Sequence, residues 1–320
     1  MGMISRLRKK DNDISPRIRS GKLQRRENIK GYLFCAPAIA LFLFVGLYSV
    51  IFSIFLSLYN WSGVDFAGTA RFVGLDNFRS FLTGANPLRT RIFWSALQNN
   101  VLIGFFSTLF VIPISVALAF VVMNVRRGAG AYRTAYFVPM VAAGAGVFYA
   151  WQGLFGARGS INAMFTALGL DFLVVRHGIF GDPRTALIGV IVTVIWGAIP
   201  GTVILYYAGL ANIDETLYEA AAIDGASKFQ VLLRITWPLL MPMTVIVLIQ
   251  RINGAFQMFE NVWILTRGGP GGATNVVATL LFTTAFQDNA YGMASAMGWS
   301  VFMITLVLSI FTIRRFIGDE

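Results

Sequence analysis

Six long apolar segments are the feature of this sequence that most constrains its fold. They run from Tyr32 to Leu58, Ala96 to Met123, Ala135 to Leu154, Ala186 to Leu210, Trp237 to Leu265, and Ala294 to Ile313. A helix needs about 20 mainly apolar residues to cross the hydrocarbon core of a membrane, and each segment is that long. Charged residues make up only 13% of the chain, about half of their share in soluble domains. The sequence therefore predicts an all-α integral membrane protein with six transmembrane helices.

A basic segment, residues 1–31, precedes the first apolar run. Residues 1–30 hold ten Lys and Arg against three Asp and Glu, a net +7 of the chain's +11. No aromatic residue lies among them, so they lack the mixture of basic and aromatic residues expected of a nucleic-acid-binding tail. Positive charge beside a membrane helix favours the cytoplasmic side, where lipid headgroups are anionic. We therefore expect a cytoplasmic tail and, after six crossings, a cytoplasmic C-terminus.

The membrane domain is predicted to cover residues 32–315, followed by a short C-terminal tail, residues 316–320. Tyr32 to Leu58 is longer than the core of a signal peptide, about 7–15 residues, so we expect it to stay in the membrane. Among the inner loops, residues 124–134 form a tight connection, whereas residues 211–237 are long enough to fold. The longer loop is where the sequence indicates a function.

Residues for enzymatic chemistry or metal binding are scarce. The chain has one cysteine, Cys35, and one histidine, His177, which are too few for a metal cluster or for a nucleophile with a histidine base. Gly21-Lys22 is followed by Leu23, so even the end of an ATPase phosphate loop is missing. We therefore expect no enzymatic activity, no metal and no cofactor in this chain.

The loop at residues 211–237 has the signals of two short helices joined by a turn. Asn212 or Asp214 can cap the first helix, which then contains an alanine run. Gly225 can take the left-handed conformation that ends a helix, and Pro238 suits the first turn of the fifth membrane helix. Apolar side chains offer a surface to a soluble partner: Leu217, Ile223, Phe229, Leu232 and Leu233. The alternative is an amphipathic helix that only seals the membrane surface.

The spacing of residues in this loop resembles a known motif. It matches the EAA loop of the permease subunits of binding-protein-dependent ABC importers through Glu219-Ala220-Ala221, Gly225, Ile235 and Pro238. Trp237 stands where the motif has Leu, which is a mild departure at an apolar position. Two further stretches resemble the LT-x-GGP turn and the YG-x-A-S-A stretch of the carbohydrate-type members: Leu265 to Pro270 and Tyr291 to Ala296.

The resemblance implies the type I ABC importer permease fold in a bacterial inner membrane. Two cytoplasmic ATP-binding subunits would bind ATP, a solute-binding protein would deliver the solute, and a second permease subunit, a different chain in the carbohydrate-type members, would complete the pathway. In the family the EAA loop forms a coupling helix that docks on the ATPase. Carried over, Glu219 pairs with a basic group of the ATPase, Ala220 and Ala221 allow close approach, and Gly225 makes the turn. The implied function is translocation of a sugar or sugar-derived solute.

One cation, Arg251, lies in the middle of the fifth apolar segment, 13 residues beyond Pro238 and so about 20 Å along a helix. A charge at this depth costs about 2.5–3.5 kcal/mol on insertion scales, so a functional role is the default hypothesis. Polar residues follow the spacing of one helix face around it: Gln250, Asn253, Gln257 and Asn261. They predict a polar stripe that lines the solute pathway, where Arg251 would favour an anionic substrate. The alternative is that these residues pair with one another or with another subunit.

The fourth apolar segment contains the sequence Trp196-Gly197-Ala198-Ile199-Pro200-Gly201. Pro200 removes a backbone hydrogen bond and kinks a helix, so that freed carbonyls can face a cavity. Trp196 can stack on a sugar ring or pack in the core. Gly197 and Gly201 form a GxxxG pair, which suits a close helix contact as well as a cavity wall. Trp196 and Gly197 are therefore candidates for the substrate pathway, with close packing as the alternative.

An ion-coupled secondary transporter is the alternative function, because a buried arginine and a broken helix also occur in that class. Such a transporter needs a site for the coupling ion. Arg251 and Glu260 are the only charged residues in the six apolar segments, and no repeated half is evident.

Overall fold

The computed structural model describes residues 21–124 and 144–317, together with residues 130, 134, 138–140 and 142. The described residues are mainly helical. The chain divides into two compact units, residues 1–55 and residues 56–320.

In the first unit, α1 (Gly21–Leu41) is followed by a π-helical stretch (Phe42–Leu47) and by α2 (Tyr48–Ser57), which runs into the second unit. Asn28–Ser57 is long and apolar enough to cross a membrane, as predicted for Tyr32 to Leu58. Its side chains are nearly all exposed, with Phe34 at 89%. A helix that is apolar on every side requires lipid or another protein around it.

The helices of the second unit are, in chain order, α3 (Phe66–Thr69), α4 (Asp76–Leu82), α5 (Pro87–Asn124), α6 (Ala145–Phe155), α7 (Ser160–Ala167), α8 (Ala186–Ala211), α9 (Glu215–Ile223), α10 (Lys228–Val231), α11 (Trp237–Leu239), α12 (Met241–Phe256), α13 (Glu260–Leu265), α14 (Val277–Phe286) and α15 (Tyr291–Ile317). A π-helical stretch, Leu232–Thr236, joins α10 to α11, and short 3-10 turns lie at Asp171–Leu173 and Ile179–Gly181. Two strands of two residues each, β1 (Tyr59–Asn60) and β2 (Arg71–Phe72), pair antiparallel with Tyr59 opposite Phe72.

Three helices of the second unit are long and apolar enough to cross a membrane: Pro87–Met123, Ala186–Ala211 and Tyr291–Arg315. They correspond to the second, fourth and sixth predicted segments, and Pro87–Met123 begins nine residues earlier than the apolar pattern indicated. Part of the third segment, Ala135 to Leu154, lies outside the described residues, and α6 contains its described end.

The predicted fifth segment, Trp237 to Leu265, is not one continuous helix, so that prediction is wrong. The chain bends by 66° between Lys228–Leu239 and Met241–Phe256, and α12 ends at Phe256 ahead of the short α13. Pro238 and Pro242 lie on either side of the bend, and a proline inside a helix removes a backbone hydrogen bond. Counted as one span, the bent pair brings the described part of the chain to five possible crossings.

Helix α5 is central to the packing of the second unit because it contributes to three hydrophobic clusters. The first cluster joins α5 to α12 and α15 through Phe93, Phe256 and Val301. The second joins α5 to α8 and α13 through Ile103, Val194 and Val262. The third joins α5 to α8 and α12 through Val116, Tyr206 and Val247. The helices that carry the predicted pathway residues are therefore all fixed against α5.

Candidate functional site

A cavity of about 590 Å³ lies where α6 and α8 meet the break between α12 and α13. Its volume falls within the range of small-molecule sites, about 300–1,000 Å³. The lining combines charged groups, amides and aromatic rings: Arg251, Glu260, Gln257, Asn261, Phe148, Trp151, Trp196 and Phe259. Four of the predicted pathway residues are thus brought together: Arg251, Gln257, Trp196 and Gly197.

Arg251 lies in α12 and is held by a single hydrogen bond to a neutral group. Its Nη2 donates to the Ser107 hydroxyl of α5 at 3.0 Å. Its Nε is buried and has no acceptor among the residues that the structure describes. Within the described ranges, the ion pair that is found lies on the surface, between Arg79 and Asp76 at 3.6 Å, and does not involve Arg251. Arg251 therefore has no carboxylate partner in the described part of the chain.

The predicted polar stripe is interrupted. Gln257 and Asn261 line the cavity, whereas Gln250 and Asn253 do not. The Asn253 side chain donates instead to the Ile249 carbonyl of its own helix at 3.1 Å, and Gln250 is exposed elsewhere on α12. The prediction placed all four residues on one face of a continuous helix. Because α12 ends at Phe256, Gln257 and Asn261 lie beyond it and do not continue that face.

Trp196 and Gly197 form the α8 wall of the cavity. The Trp196 ring meets the Trp151 ring of α6 edge to face, with 5.7 Å between the ring centroids. A Cβ built on Gly197 or Gly201 meets no heavy atom within 4 Å. Within the described residues, the GxxxG pair therefore makes no close helix contact, and the open space beside Gly197 belongs to the cavity.

Two amide side chains from other helices bond backbone groups at the end of α12, the end of α13 and the start of α14. Asn100 of α5, which is 0% exposed, donates to the Ala255 carbonyl at 2.6 Å and accepts from the Val277 N–H at 2.9 Å. Gln152 of α6 donates to the carbonyls of Ile264 and Leu265, at 2.6 and 3.0 Å. Carbonyls at a helix end lack intrahelical partners, and a membrane supplies no water to replace them. Sequence reasoning missed these residues, although Asn99-Asn100 is a conspicuous polar pair within an apolar segment.

The LT-x-GGP turn follows α13 directly and is held by its own side chains. The hydroxyls of Thr266 and Thr274 share a hydrogen bond of 2.7 Å, and Thr274 also donates to the Gly269 carbonyl at 2.7 Å. Arg267 and Gly268 have φ of +52° and +82°, the left-handed region that glycine adopts without penalty. The turn borders a second cavity of about 620 Å³.

The YG-x-A-S-A stretch begins α15 at a tight contact. The Tyr291 N–H donates to the Trp61 carbonyl at 3.2 Å, and the two rings lie 5.5 Å apart. Gly292 lies against the Tyr59 carbonyl, where any Cβ would collide with the oxygen. The glycine in this stretch is therefore required by packing.

Local hydrogen bonds build the helix-turn-helix of the EAA loop. Asp214 caps α9 by accepting from the Thr216 N–H at 3.0 Å, which holds the pKa of this carboxyl below its usual value. Gly225, with φ of +71°, ends α9 in a Schellman motif: its N–H donates to the Ala222 carbonyl, and the next N–H reaches the Ala221 carbonyl. These features confirm the predicted cap and turn.

A reciprocal capping box begins α10. The Ser227 hydroxyl accepts from the Gln230 N–H at 3.3 Å, and the Gln230 side chain accepts from the Ser227 N–H at 2.8 Å. Each side chain thus satisfies a backbone donor of the other residue.

The exposed side of this loop is partly apolar. Glu219 and Ala220 are exposed, and so are Ile223 at 87% and Phe229 at 67%. Ala221 is buried within the chain, so its small side chain serves packing there. At the far end of the motif, Ile235 is half-buried and Pro238 is exposed. Between these two parts, the hydroxyls of Tyr218 and Thr236 lie 3.2 Å apart and join α9 to the π-helical stretch.

Three features together are typical of a membrane permease: helices of membrane length, a partly polar cavity, and an exposed helix-turn-helix in one loop. Residues 90–317 match the family of binding-protein-dependent transport system inner membrane components, and the chain belongs to this family.

Two relatives and one solved structure show how far the similarity extends. The probable ABC transporter permease protein YurN of Bacillus subtilis is 34% identical, over 89% of this chain and 95% of its own. The trehalose/maltose transport system permease protein MalF of Thermococcus litoralis is 31% identical, over 95% and 96%. The crystal structure of a bacterial ABC transporter that imports the acidic polysaccharide alginate contains a chain with the same fold, at a TM-score of 0.76 and 24% identity, covering 92% of this chain and 97% of that one.

The chain is therefore a multi-pass membrane subunit of an ABC importer. Its fold class is confirmed, and so is the prediction that it is not an enzyme, because ATP hydrolysis in this family lies in separate subunits. Membership of the family excludes the ion-coupled secondary transporter. The family works with ATPase and binding-protein partners. Within the described residues no cluster of side chains suits a metal ion.

Proposed function

We propose that this subunit forms the translocation pathway for a sugar or sugar-derived solute, and that the cavity between α6, α8 and the α12–α13 break is part of that pathway. The Thermococcus relative is named for trehalose and maltose transport, which supports a carbohydrate. The cavity itself carries the proposal. Aromatic faces at Trp151 and Trp196 suit the apolar face of a sugar ring, and amides at Gln257 and Asn261 suit its hydroxyls.

Gly197→Leu tests the pathway by filling the cavity. Because a Cβ at Gly197 meets no atom within 4 Å, the larger side chain is accommodated without disturbing α8. Crowding a site that a solute must occupy costs about 1–3 kcal/mol, so we expect uptake to fall about tenfold or more. The measurement is ATP-driven sugar uptake by proteoliposomes that contain the complete transporter.

Gly201→Leu is the matched control, since Gly201 lies one turn along the same helix, has equal space and does not line the cavity. Uptake by this variant should be close to that of the wild type. Equal uptake by all three proteins would show that the solute passes elsewhere.

The proposed site of coupling to the ATPase is the exposed surface of α9 and the turn after it. Glu219 would meet a basic group of the ATPase, exposed Ala220 would allow close approach, and Gly225 would turn the chain. Ala221 would contribute from inside, because its small side chain is buried and lets α9 pack closely on the rest of the chain. Ile235 and Pro238 set the entry into the fifth membrane segment. The exposed apolar side chains of Ile223 and Phe229 support this proposal, because a protein partner that covers them removes apolar surface from water.

Charge reversal at Glu219 tests the coupling surface. Glu219→Lys places like charges together at the contact, and loss of a buried charge pair costs about 2–5 kcal/mol. We expect the ATPase to be lost when the detergent-solubilised permease is purified. Glu215→Lys, on the same helix and equally exposed, is the control and should keep the ATPase. Retention of the ATPase and of uptake by Glu219→Lys would favour a helix that only seals the membrane surface.

In the proposed assembly, this subunit pairs with a second, different permease chain and with two ATP-binding subunits in a bacterial inner membrane. Both termini lie in the cytoplasm, because the basic tail favours that side. The exposed apolar faces of α5 and α15, such as those at Phe105 and Val307, are available to lipid or to the second permease.

A further inference from the structure

We infer that the solute carries an anionic group, a carboxylate or a phosphate, and that Arg251 binds it. This inference rests on the proposed translocation function and goes beyond it by naming the chemistry of the solute. Three observations carry it: the isolated charge of Arg251, its free donors and its place on the cavity.

The charge of Arg251 is not neutralised by a carboxylate among the residues that the structure describes. Its described contact is the Ser107 hydroxyl, and its buried Nε has no acceptor in the described ranges. The undescribed residues between 125 and 143 contain no Asp or Glu, so they cannot supply a partner. Glu260 is the one acid within the apolar segments, and among the described residues it forms no ion pair with Arg251. Since a guanidinium stays protonated in proteins, its charge needs a partner beyond those that the described residues supply.

The guanidinium has donors left to bind an anion. It carries five N–H groups in a planar fork, and the described structure uses one of them, on Nη2. A carboxylate or a phosphate accepts two parallel hydrogen bonds from such a fork, whereas a neutral hydroxyl accepts only one and without the opposite charge. Ser107 fixes one end of the guanidinium, so the fork is partly oriented before the solute arrives.

The cavity favours a solute over a side chain of another subunit as the source of the anion. Arg251 lines open space of about 590 Å³ together with Trp151, Trp196 and Gln257. It also borders a cavity of about 600 Å³ between α5 and α12, but the lining of that cavity is almost entirely apolar and offers a polar solute few partners. Glu260 lines the same space and can accept hydrogen bonds from sugar hydroxyls. An acidic sugar therefore finds complementary groups for its charged part and for its ring in one cavity.

The experiment measures equilibrium binding of three radiolabelled probes to the purified permease pair with its ATPases, without the binding protein. The probes are digalacturonate, glucose 6-phosphate and maltose, which separate carboxylate, phosphate and neutral sugar. We expect one anionic probe to bind about tenfold to a hundredfold more tightly than maltose, as charge-assisted hydrogen bonds allow. That preference should disappear in Arg251→Gln and persist in reduced form in Arg251→Lys, which keeps the charge but not the fork. Arg184→Gln, an exposed loop arginine, is the control and should leave the preference unchanged.

Two outcomes overturn the inference while leaving the proposed function intact. In the first, maltose binds at least as tightly as both anionic probes, and Gly197→Leu abolishes that binding. In the second, Arg251→Gln separates the two permease subunits on size-exclusion chromatography, which assigns the partner of Arg251 to the other subunit. If none of the three probes binds, the proposed solute site itself is wrong, and the inference is overturned with it.

Discussion

The helix break at Gly225 and the break between α12 and α13 differ in where their hydrogen bonds come from. Around Gly225 the bonds of the Asp214 cap, the turn and the Ser227 capping box join residues at most five positions apart. The longer bond from Tyr218 to Thr236 spans 18 positions and stays within the same loop. At the α12–α13 break, the Asn100 amide bonds the Ala255 carbonyl 155 positions away. Nearby ends are held in the same way: Asn100 also bonds Val277 at the start of α14, 177 positions away, and Gln152 bonds the end of α13 across 112 and 113 positions.

The difference follows from the surroundings of the two breaks. The loop around Gly225 is largely exposed, so water can satisfy backbone groups and a short local motif is sufficient. The second break lies within an apolar segment among buried residues such as Ala255 and Phe256, where freed carbonyls need protein donors. The break beside the cavity thus depends on hydrogen bonds from other helices, whereas the break in the exposed loop is held by hydrogen bonds within that loop.

The largest effect is expected from Asn100→Leu, which keeps the size of the side chain and removes its hydrogen bonds. The Ala255 carbonyl and the Val277 N–H would both be left buried without a partner, at about 1–3 kcal/mol each and so about 2–6 kcal/mol in total. The free energy of unfolding, measured by denaturant titration in mixed detergent micelles, should fall by that amount.

Asn253→Leu is the matched control for Asn100→Leu. The Asn253 amide bonds only the Ile249 carbonyl of its own helix, which also accepts an intrahelical bond, so the loss should stay below about 1 kcal/mol. Similar losses in both variants would show that the α12–α13 break does not depend on Asn100.

A smaller effect is expected from Gly225→Ala. A Cβ at this position meets no atom within 4 Å, so the cost is conformational only, about 1–2 kcal/mol for a left-handed residue. Because the motif is local, amide hydrogen exchange should accelerate across residues 215–231 and remain unchanged around α12 and α13. Gly201→Ala, which replaces a glycine inside α8, should be neutral or slightly stabilising. Faster exchange around α12 as well would contradict the independence of the two breaks.

This difference also explains which features could be read from the sequence. Asp214, one of two candidate caps, Gly225 as the turn and Pro238 in a first helical turn agree with the prediction, because each acts on its immediate neighbours. Four of the six membrane segments were found from apolar length alone. The placement of Arg251, Gln257, Trp196 and Gly197 on one cavity agrees with the predicted pathway, while the functional roles of these residues stay predictions.

The contacts of the cavity that the sequence did not predict depend mainly on residues far apart in the chain. The polar stripe from Gln250 to Asn261 assumed an unbroken helix, but α12 ends at Phe256 and the helical spacing no longer applies beyond it. Trp151 and Gln152 lie at the site because of tertiary packing: the Trp151 ring contacts Trp196 of α8, and the Gln152 amide bonds the Ile264 carbonyl of α13. No local pattern around residue 152 indicates that its amide will bond carbonyls more than a hundred residues later.

The hydrogen bond between Asn100 and Ala255 also has a consequence for biosynthesis. The two residues are 155 positions apart, and at about 5–20 residues per second the ribosome needs about 8–31 s to make the chain between them. During that interval Asn100 lies in a membrane-length helix that has been synthesised, while the carbonyl it will bind does not yet exist. The Asn100 amide therefore cannot make this bond until the chain has been synthesised as far as Ala255, and the α12–α13 region is completed late in the assembly of the bundle.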